Sequence, residues 1–135
     1  MCILDLDVSQ PLRIVHCDDS PDVLLLVEHW FEDHPDLEVV ASALGIRAAI
    51  ELVAQHRPDV VLTDTLGSPR DAALLRWLHD AAPNASLVVY TGYTPHQLAP
   101  EMVRLADRIV TKTSDDLELV AALRSLVAGP DEPAS

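Results

Sequence analysis

Glycine is scarce in this chain. Four of 135 residues are glycine (Gly45, Gly67, Gly92 and Gly129), and their positions fit neither a phosphate-cradling loop nor a dinucleotide fingerprint. That argues against the nucleotide-binding enzymes read from those motifs. The glycine-flanked serine elbow of an α/β-hydrolase is missing as well. The two cysteines, Cys2 and Cys17, have no metal-ligand spacing and no disulfide framework, so reduced thiols are expected. Six histidines (His16, His29, His34, His56, His79 and His96) are scattered without ligand spacing. No apolar run approaches the roughly 18 residues of a membrane span. The opening Met1-Cys2-Ile3-Leu4-Asp5 carries acids where a secretory signal carries cations. A cytoplasmic protein without a membrane segment is the expectation. Basic residues are few too: 9 Lys and Arg against 22 Asp and Glu leave a formal charge of −13. Such a field repels the nucleic acid backbone, and direct nucleic acid binding is not expected. Solubility accounts for most of that charge, and it also attracts divalent cations and basic partner surfaces.

What is present is apolar patterning. Apolar residues make up 49% of the chain, enough for one core in a single domain. Strand-like runs near 13–18, 37–42, 59–64, 86–91 and 108–112 alternate with helical periodicities, the signature of βα units around a parallel sheet. The third and fourth runs are continuously apolar, as strands buried on both faces should be. Ser20-Pro21-Asp22 reads as an N-cap, a first-position proline and a first-turn acid. Behind it Val23, Leu26, Val27, Trp30 and Phe31 recur at helical spacing. A second helix is expected around Ile46, Ala49, Ile50 and Val53, and a third around Leu74, Leu75 and Leu78. A fourth is expected to open at Thr94-Pro95-His96-Gln97 with a capping box. A fifth should follow Thr113-Ser114-Asp115-Asp116 and bury Leu117, Val120, Leu123 and Val127. The core then spans about 13–128, with loose tails at Met1–Pro11 and Gly129–Ser135 and no second domain.

The chemistry is expected where the strands end. In an open α/β sheet, ligands bind beyond the carboxyl ends of the strands, where helix N-termini also favour anions. The first run ends in Asp18-Asp19, the third in Asp64, the fourth in Thr91 and the fifth in Lys112. Each has an ordinary structural reading. An aspartate before a helix can cap it, Asp64 can form an Asx-turn, threonine is common in strands, and lysine is usually a solvated surface cation. The combination is more specific. Two carboxylates about 4 Å apart repel by roughly 4 kcal/mol at an effective dielectric of 20, so three ionised ones call for a cation. A hard divalent ion with oxygen ligands, Mg²⁺, fits, and Lys112 adds a fixed positive charge.

Over residues 13–128 the chain resembles the receiver domain of two-component response regulators. The matching residues are the acid pair Asp18-Asp19, the lone Asp64, Thr91 followed by the small Gly92, and Lys112. The resemblance implies a flavodoxin-like α/β fold: a doubly wound five-stranded parallel sheet in the order 2-1-3-4-5, with five helices. It implies that Asp64 accepts a phosphoryl group from a histidine kinase or a histidine phosphotransfer protein, in the manner of a signalling domain rather than an enzyme. Asp19, Asp64 and the backbone carbonyl of Leu66 would bind Mg²⁺, with Asp18 acting through water. Lys112 would pair with Asp64 and then with the phosphoryl oxygens, and the Thr91 hydroxyl and Gly92 N–H would hold another. As a stand-alone receiver it would act through a downstream target protein. That target would dock on the fourth-helix, fifth-strand and fifth-helix face (His96, Gln97, Glu101, Arg104, Arg108 and Glu118). The same face leaves room for a homodimer.

Several positions depart from the family. Thr113 stands where a cis proline usually follows the lysine. Ile109 stands where a tyrosine or phenylalanine usually switches, leaving Tyr90 and Tyr93 as nearby rings. Ser68 holds the usual proline position, with Pro69 one later, and Ala72 replaces a usual glycine. The phosphorylation residues are kept and the transmission residues are not. Leu66 and Tyr93, bulky and without a carboxylate or amide to orient water, predict a slowly hydrolysing phosphoform unless both simply pack. Two rival readings remain: a degenerate receiver acting only as a protein-interaction module, and a phosphatase. The second rests on Asp5-Leu6-Asp7-Val8, which resembles the opening motif of haloacid dehalogenase-type phosphatases.

Overall fold

The computed structural model describes residues 10–112 and 115–128. Residues 1–9 of the expected Met1–Pro11 tail, the expected tail from 129 to 135, the Asp5–Val8 motif, and Thr113 and Ser114 lie outside the described residues. Five strands form one parallel sheet in the order β2-β1-β3-β4-β5. They are β1 (Leu12–Cys17), β2 (Leu37–Ala43), β3 (Val60–Thr63), β4 (Ser86–Thr91) and β5 (Arg108–Thr111). Among the described residues the connecting α-helices are α1 (Pro21–Phe31), α2 (Ile46–His56), α3 (Ala73–Ala81), α4 (Pro100–Leu105) and α5 (Asp116–Ala128). None is long and apolar enough to cross a membrane. The alternation pointed to this parallel sheet, and the family resemblance implied the flavodoxin-like fold and its strand order.

Side chains alternate across a strand with period two, and that alternation divides the interior into two layers. Val15, Cys17, Val61, Leu87 and Val89 face the layer that holds Leu75, Leu78 and Met102 of α3 and α4. Ile14, Val60, Leu62, Val88, Tyr90 and Val110 face the layer that holds Val27 and Phe31 of α1 and Leu119 and Leu123 of α5. β1 and β3 pair with Cys17 opposite Thr63, and β4 and β5 pair with Thr91 opposite Thr111. The carboxyl ends of all the central strands therefore open on one edge. A register shift between Ile14 and Val15 leaves Val40 without a partner on β1.

Helix entries follow local chemistry. Ser20 caps α1: its Oγ accepts the Val23 N–H at 3.3 Å, and Pro21 fills the first position. Asp115 does the same for α5, accepting the Glu118 N–H at 3.2 Å.

Three expectations are corrected. Leu26 is exposed, and Leu24 takes the inward position beside Val27 and Phe31. Leu117 and Val127 are exposed, while Leu119 joins Val120 and Leu123 in the core. The apolar residues of both helices exceed one face, and the neighbouring strands, not the spacing, decide which of them turn inward. The fourth helix does not begin at Thr94. Pro95–Gln97 form a single 3₁₀ turn, in which the Gln97 side chain accepts the Thr94 N–H at 2.8 Å. The helix proper starts at Pro100. Proline lacks the N–H needed to continue a helix and fits its first turn, so Pro100 restarts the element.

Candidate functional site

The residues named from the strand ends meet at the carboxyl edge of the sheet. Because Cys17 and Thr63 are register partners, the next residue of each strand, Asp18 and Asp64, stands side by side at that edge. The Asp64 N–H donates to the Cys17 carbonyl at 2.9 Å, and the Asp18 N–H donates to that of Ala43 at 3.0 Å. On the other flank the Lys112 N–H donates to the Thr91 carbonyl at 2.7 Å, which carries the lysine one residue past β5 and turns it back over the site. Asp18, Asp19 and Asp64 each offer a carboxylate oxygen within 4.8 Å of the others. Asp18 is fully buried, Asp64 partly so, and Asp19 exposed.

Lys112 bridges the acids. Its Nζ lies 2.7 Å from Asp18 Oδ2 and 3.1 Å from Asp64 Oδ1. The first contact is an ion pair at close range, yet Asp18 Oδ2 has no donor aligned for a hydrogen bond. The pairing with Asp64 was expected; the shorter one with Asp18 was not legible from spacing. Burial pulls the Lys112 ammonium down. The close pairing with Asp18 and the charge of Asp64 outweigh it, and the ammonium is held above its ordinary range. Burial raises Asp18, only partly offset by Lys112 and by the Ser20 N–H that Asp18 Oδ1 accepts at 2.9 Å. The lysine Nζ also sits 5.9 Å from the centre of the Tyr90 ring, within range of a cation–π attraction.

The donor set fits a hard divalent cation. Three carboxylates converge, one is fully buried, and its Oδ2, which faces Lys112, has lone pairs that no protein hydrogen bond uses. Two carboxylate charges 4.8 Å apart repel by roughly 3 kcal/mol at an effective dielectric of 20, and Lys112 supplies one positive charge for three negative ones.

The remaining predicted residues fall around this cluster. Thr91 is fully buried, and its Oγ1 accepts the Tyr93 N–H at 3.2 Å. Gly92 follows it, exposed, and a Cβ there would meet nothing, so the Thr91–Tyr93 loop is open to a ligand. The Leu66 N–H donates to Asp64 Oδ2 at 3.1 Å. The Leu66 side chain is buried in the α2–α3–α4 layer, so it packs, the alternative weighed for it from the sequence. Tyr93 is 37% exposed.

His16 is fully buried, two residues before Asp18, with neither ring nitrogen hydrogen-bonded. Burial, reinforced by Lys112, lowers its pKa to about 4, so the ring is neutral. Cys17 is also buried, its thiol pushed up to about 12 by desolvation, and is inert as a nucleophile.

The family model of the response regulator receiver domain matches residues 14–124. The chain belongs to the response regulator receiver family. Among curated relatives of this receiver, the oxygen regulatory protein NreC of Staphylococcus epidermidis is 26% identical over 121 residues, which cover 87% of this chain and 56% of that protein. The receiver thus spans little more than half the length of that relative. Among solved structures, a LuxR-family two-component response regulator from Aurantimonas sp. SI85-9A1 is 30% identical. It aligns with a TM-score of 0.78 over 90% of this chain and 92% of its own. A chain from the complex of the P1 domain of CheA3 with CheY6 of R. sphaeroides is 25% identical, with a TM-score of 0.71 over 89% of this chain and 99% of its own.

Proposed function

We propose that this receiver of two-component signalling accepts a phosphoryl group on Asp64 and thereby changes its affinity for a partner protein. The observation that carries the reading is the Asp18–Asp19–Asp64 cluster at one sheet edge with Lys112 bridging it.

Phosphoryl transfer asks a protein mainly for positioning and for neutralisation of developing charge. An Asp64 carboxylate oxygen attacks phosphorus as the nitrogen–phosphorus bond of a donor phosphohistidine breaks. The imidazole leaves with the bonding pair and takes up a proton, and an acyl phosphate remains on Asp64. Lys112, already 3.1 Å from Asp64 Oδ1, pairs with a phosphoryl oxygen. The Thr91 hydroxyl and the Gly92 N–H donate to another. Asp18, Asp19, Asp64 and the Leu66 carbonyl would hold Mg²⁺, whose chemistry there is neutralisation of phosphoryl charge. The donors are a histidine kinase or a histidine phosphotransfer protein, and an exchange fed from ATP belongs to the cytoplasm. The same groups that admit the phosphoryl group allow water to remove it, so the domain acts only on itself and turns over no external substrate. The downstream partner docks on the face of α4, β5 and α5.

Incubation with acetyl phosphate and Mg²⁺, followed by mass-spectrometric site mapping, should place one phosphoryl group on Asp64, with none on Asp64→Asn and none without the metal. A chain that stays unmodified and gives no response to a Mg²⁺ titration would leave it an interaction module alone, the alternative that Ile109 and Thr113 keep open.

A further inference from the structure

The chain that leaves Asp64 is held at both ends. Asp64 Oδ2 accepts the Leu66 N–H at 3.1 Å, and Leu66 has a left-handed backbone, φ 50°, which strains a residue that carries a Cβ. Gly67 follows at φ 142°, where glycine is at ease. Two residues further on, the segment is fastened to the approach to α4. The Pro69 carbonyl accepts the Ala99 N–H at 2.8 Å. The Arg70 guanidinium donates through Nη1 to the Leu98 carbonyl at 3.2 Å and the Gln97 carbonyl at 3.5 Å. Leu98 and Ala99 are buried in the same layer as Leu66 and Ala72. One turn along α3, Arg76 pairs with Glu101 of α4. A continuous set of contacts therefore runs from Asp64 to α4 without using Thr91 or position 109, where the half-buried Ile109 has no ring to swing and no hydroxyl to place.

We propose that the state of Asp64 reaches α4 through residues 65–70, with Arg70 as the clasp on the carbonyls of Gln97 and Leu98. The inference rests on the reading of Asp64 as the phosphoacceptor. An ionised carboxylate accepts hydrogen bonds about twice as strongly as a neutral oxygen. Once Asp64 is an acyl phosphate, its hold on the Leu66 N–H weakens and the strained Leu66–Gly67 turn relaxes. Pro69 and Arg70 shift with it. Their partners are backbone groups of residues 97–99, so the start of α4 moves as one body with the loop, a discrete rearrangement of the kind that biases a docking face.

Hydrogen exchange of the peptides spanning 97–105, measured on the whole chain with and without Mg²⁺ and beryllofluoride, tests the clasp. In Arg70→Ala without ligand, exchange there should rise roughly two- to tenfold, the loss of one or two ordinary hydrogen bonds. Beryllofluoride should still bind Arg70→Ala within about twofold of the parent, since Arg70 shares no partner with Asp64, while the ligand-induced change over 97–105 largely disappears. Arg70→Lys, which keeps the charge and loses the fork, should fall between the two and guards against a folding defect in the alanine variant. An Arg70→Ala protein that binds beryllofluoride and shows the parental change over 97–105 overturns the clasp and leaves the phosphoacceptor reading intact. A parent chain that binds no beryllofluoride with Mg²⁺ overturns the reading of Asp64 and the clasp with it.

Discussion

The two flanks of the sheet edge differ in kind. On the β1–β3 flank, Asp18, Asp19 and Asp64 converge, and Lys112 pairs with Asp18 and Asp64. On the β4–β5 flank, Ile109 is aliphatic and half-buried, and Tyr93 is exposed at the loop surface. Charged groups that share one small volume constrain one another strongly, because moving any of them leaves a neighbour unpaired in a poor dielectric. A docking face has no such internal requirement; it has to match only what binds it.

The contrast can be broken at Lys112. Lys112→Met removes the fixed cation and should slow phosphoryl uptake from acetyl phosphate by about 10²- to 10³-fold, the usual effect of deleting one electrostatic donor to developing charge. A rate within a factor of a few of the parent would mean that Lys112 serves only to pair Asp18.

The next largest effect belongs to His16. Its folded-state pKa of about 4 lies below the ordinary imidazole value of 6.5, so between those values the unfolded chain binds more protons than the folded one. The stability that comes from keeping this ring neutral is full above pH 6.5 and is lost as pH falls through 4, about 3 kcal/mol across that window. Urea midpoints for the parent and for His16→Leu, read from pH 7 downward, should diverge: the parent weakens and the variant stays flatter. Parallel curves would show that the imidazole is hydrated or paired in solution.

Ser20→Ala removes the oxygen that accepts the Val23 N–H at 3.3 Å and should cost about 1 kcal/mol in thermal or urea unfolding, without changing which residue is modified. The smallest expected effect sharpens the contrast most. Ile109→Tyr places a ring on the transmission flank and should change partner binding a few-fold while leaving the phosphorylation rate near that of the parent. Equal changes in both would show that the two flanks are not separable.

Much of this was open to a reading of residues in order. Continuous apolar runs at β3 and β4 read as doubly covered strands, and the acid, acid, hydroxyl and ammonium after them read as one site, since a parallel sheet brings successive strand ends to one edge. Ser20-Pro21-Asp22 read as a helix entry, because a cap is made by neighbours in sequence. The acid cluster was legible for the same reason: it needs only the topology, not the packing.

Chain order by itself therefore determined the kinds and sequence of the elements, the family, and the carboxylates and lysine placed at the sheet edge, because strand alternation and helix caps are settled within a few residues. Contacts between distant segments decided the rest. They turned Leu24 and Leu119 inward and left Leu26 and Leu117 outside, sank the Leu66 side chain into the core, and drew Lys112 closer to Asp18 than to Asp64. They also closed Arg70 on the carbonyls before α4. A helix has many rotations that satisfy its own hydrogen bonds, and a long side chain reaches several partners. Only the surfaces packed against them choose among those possibilities.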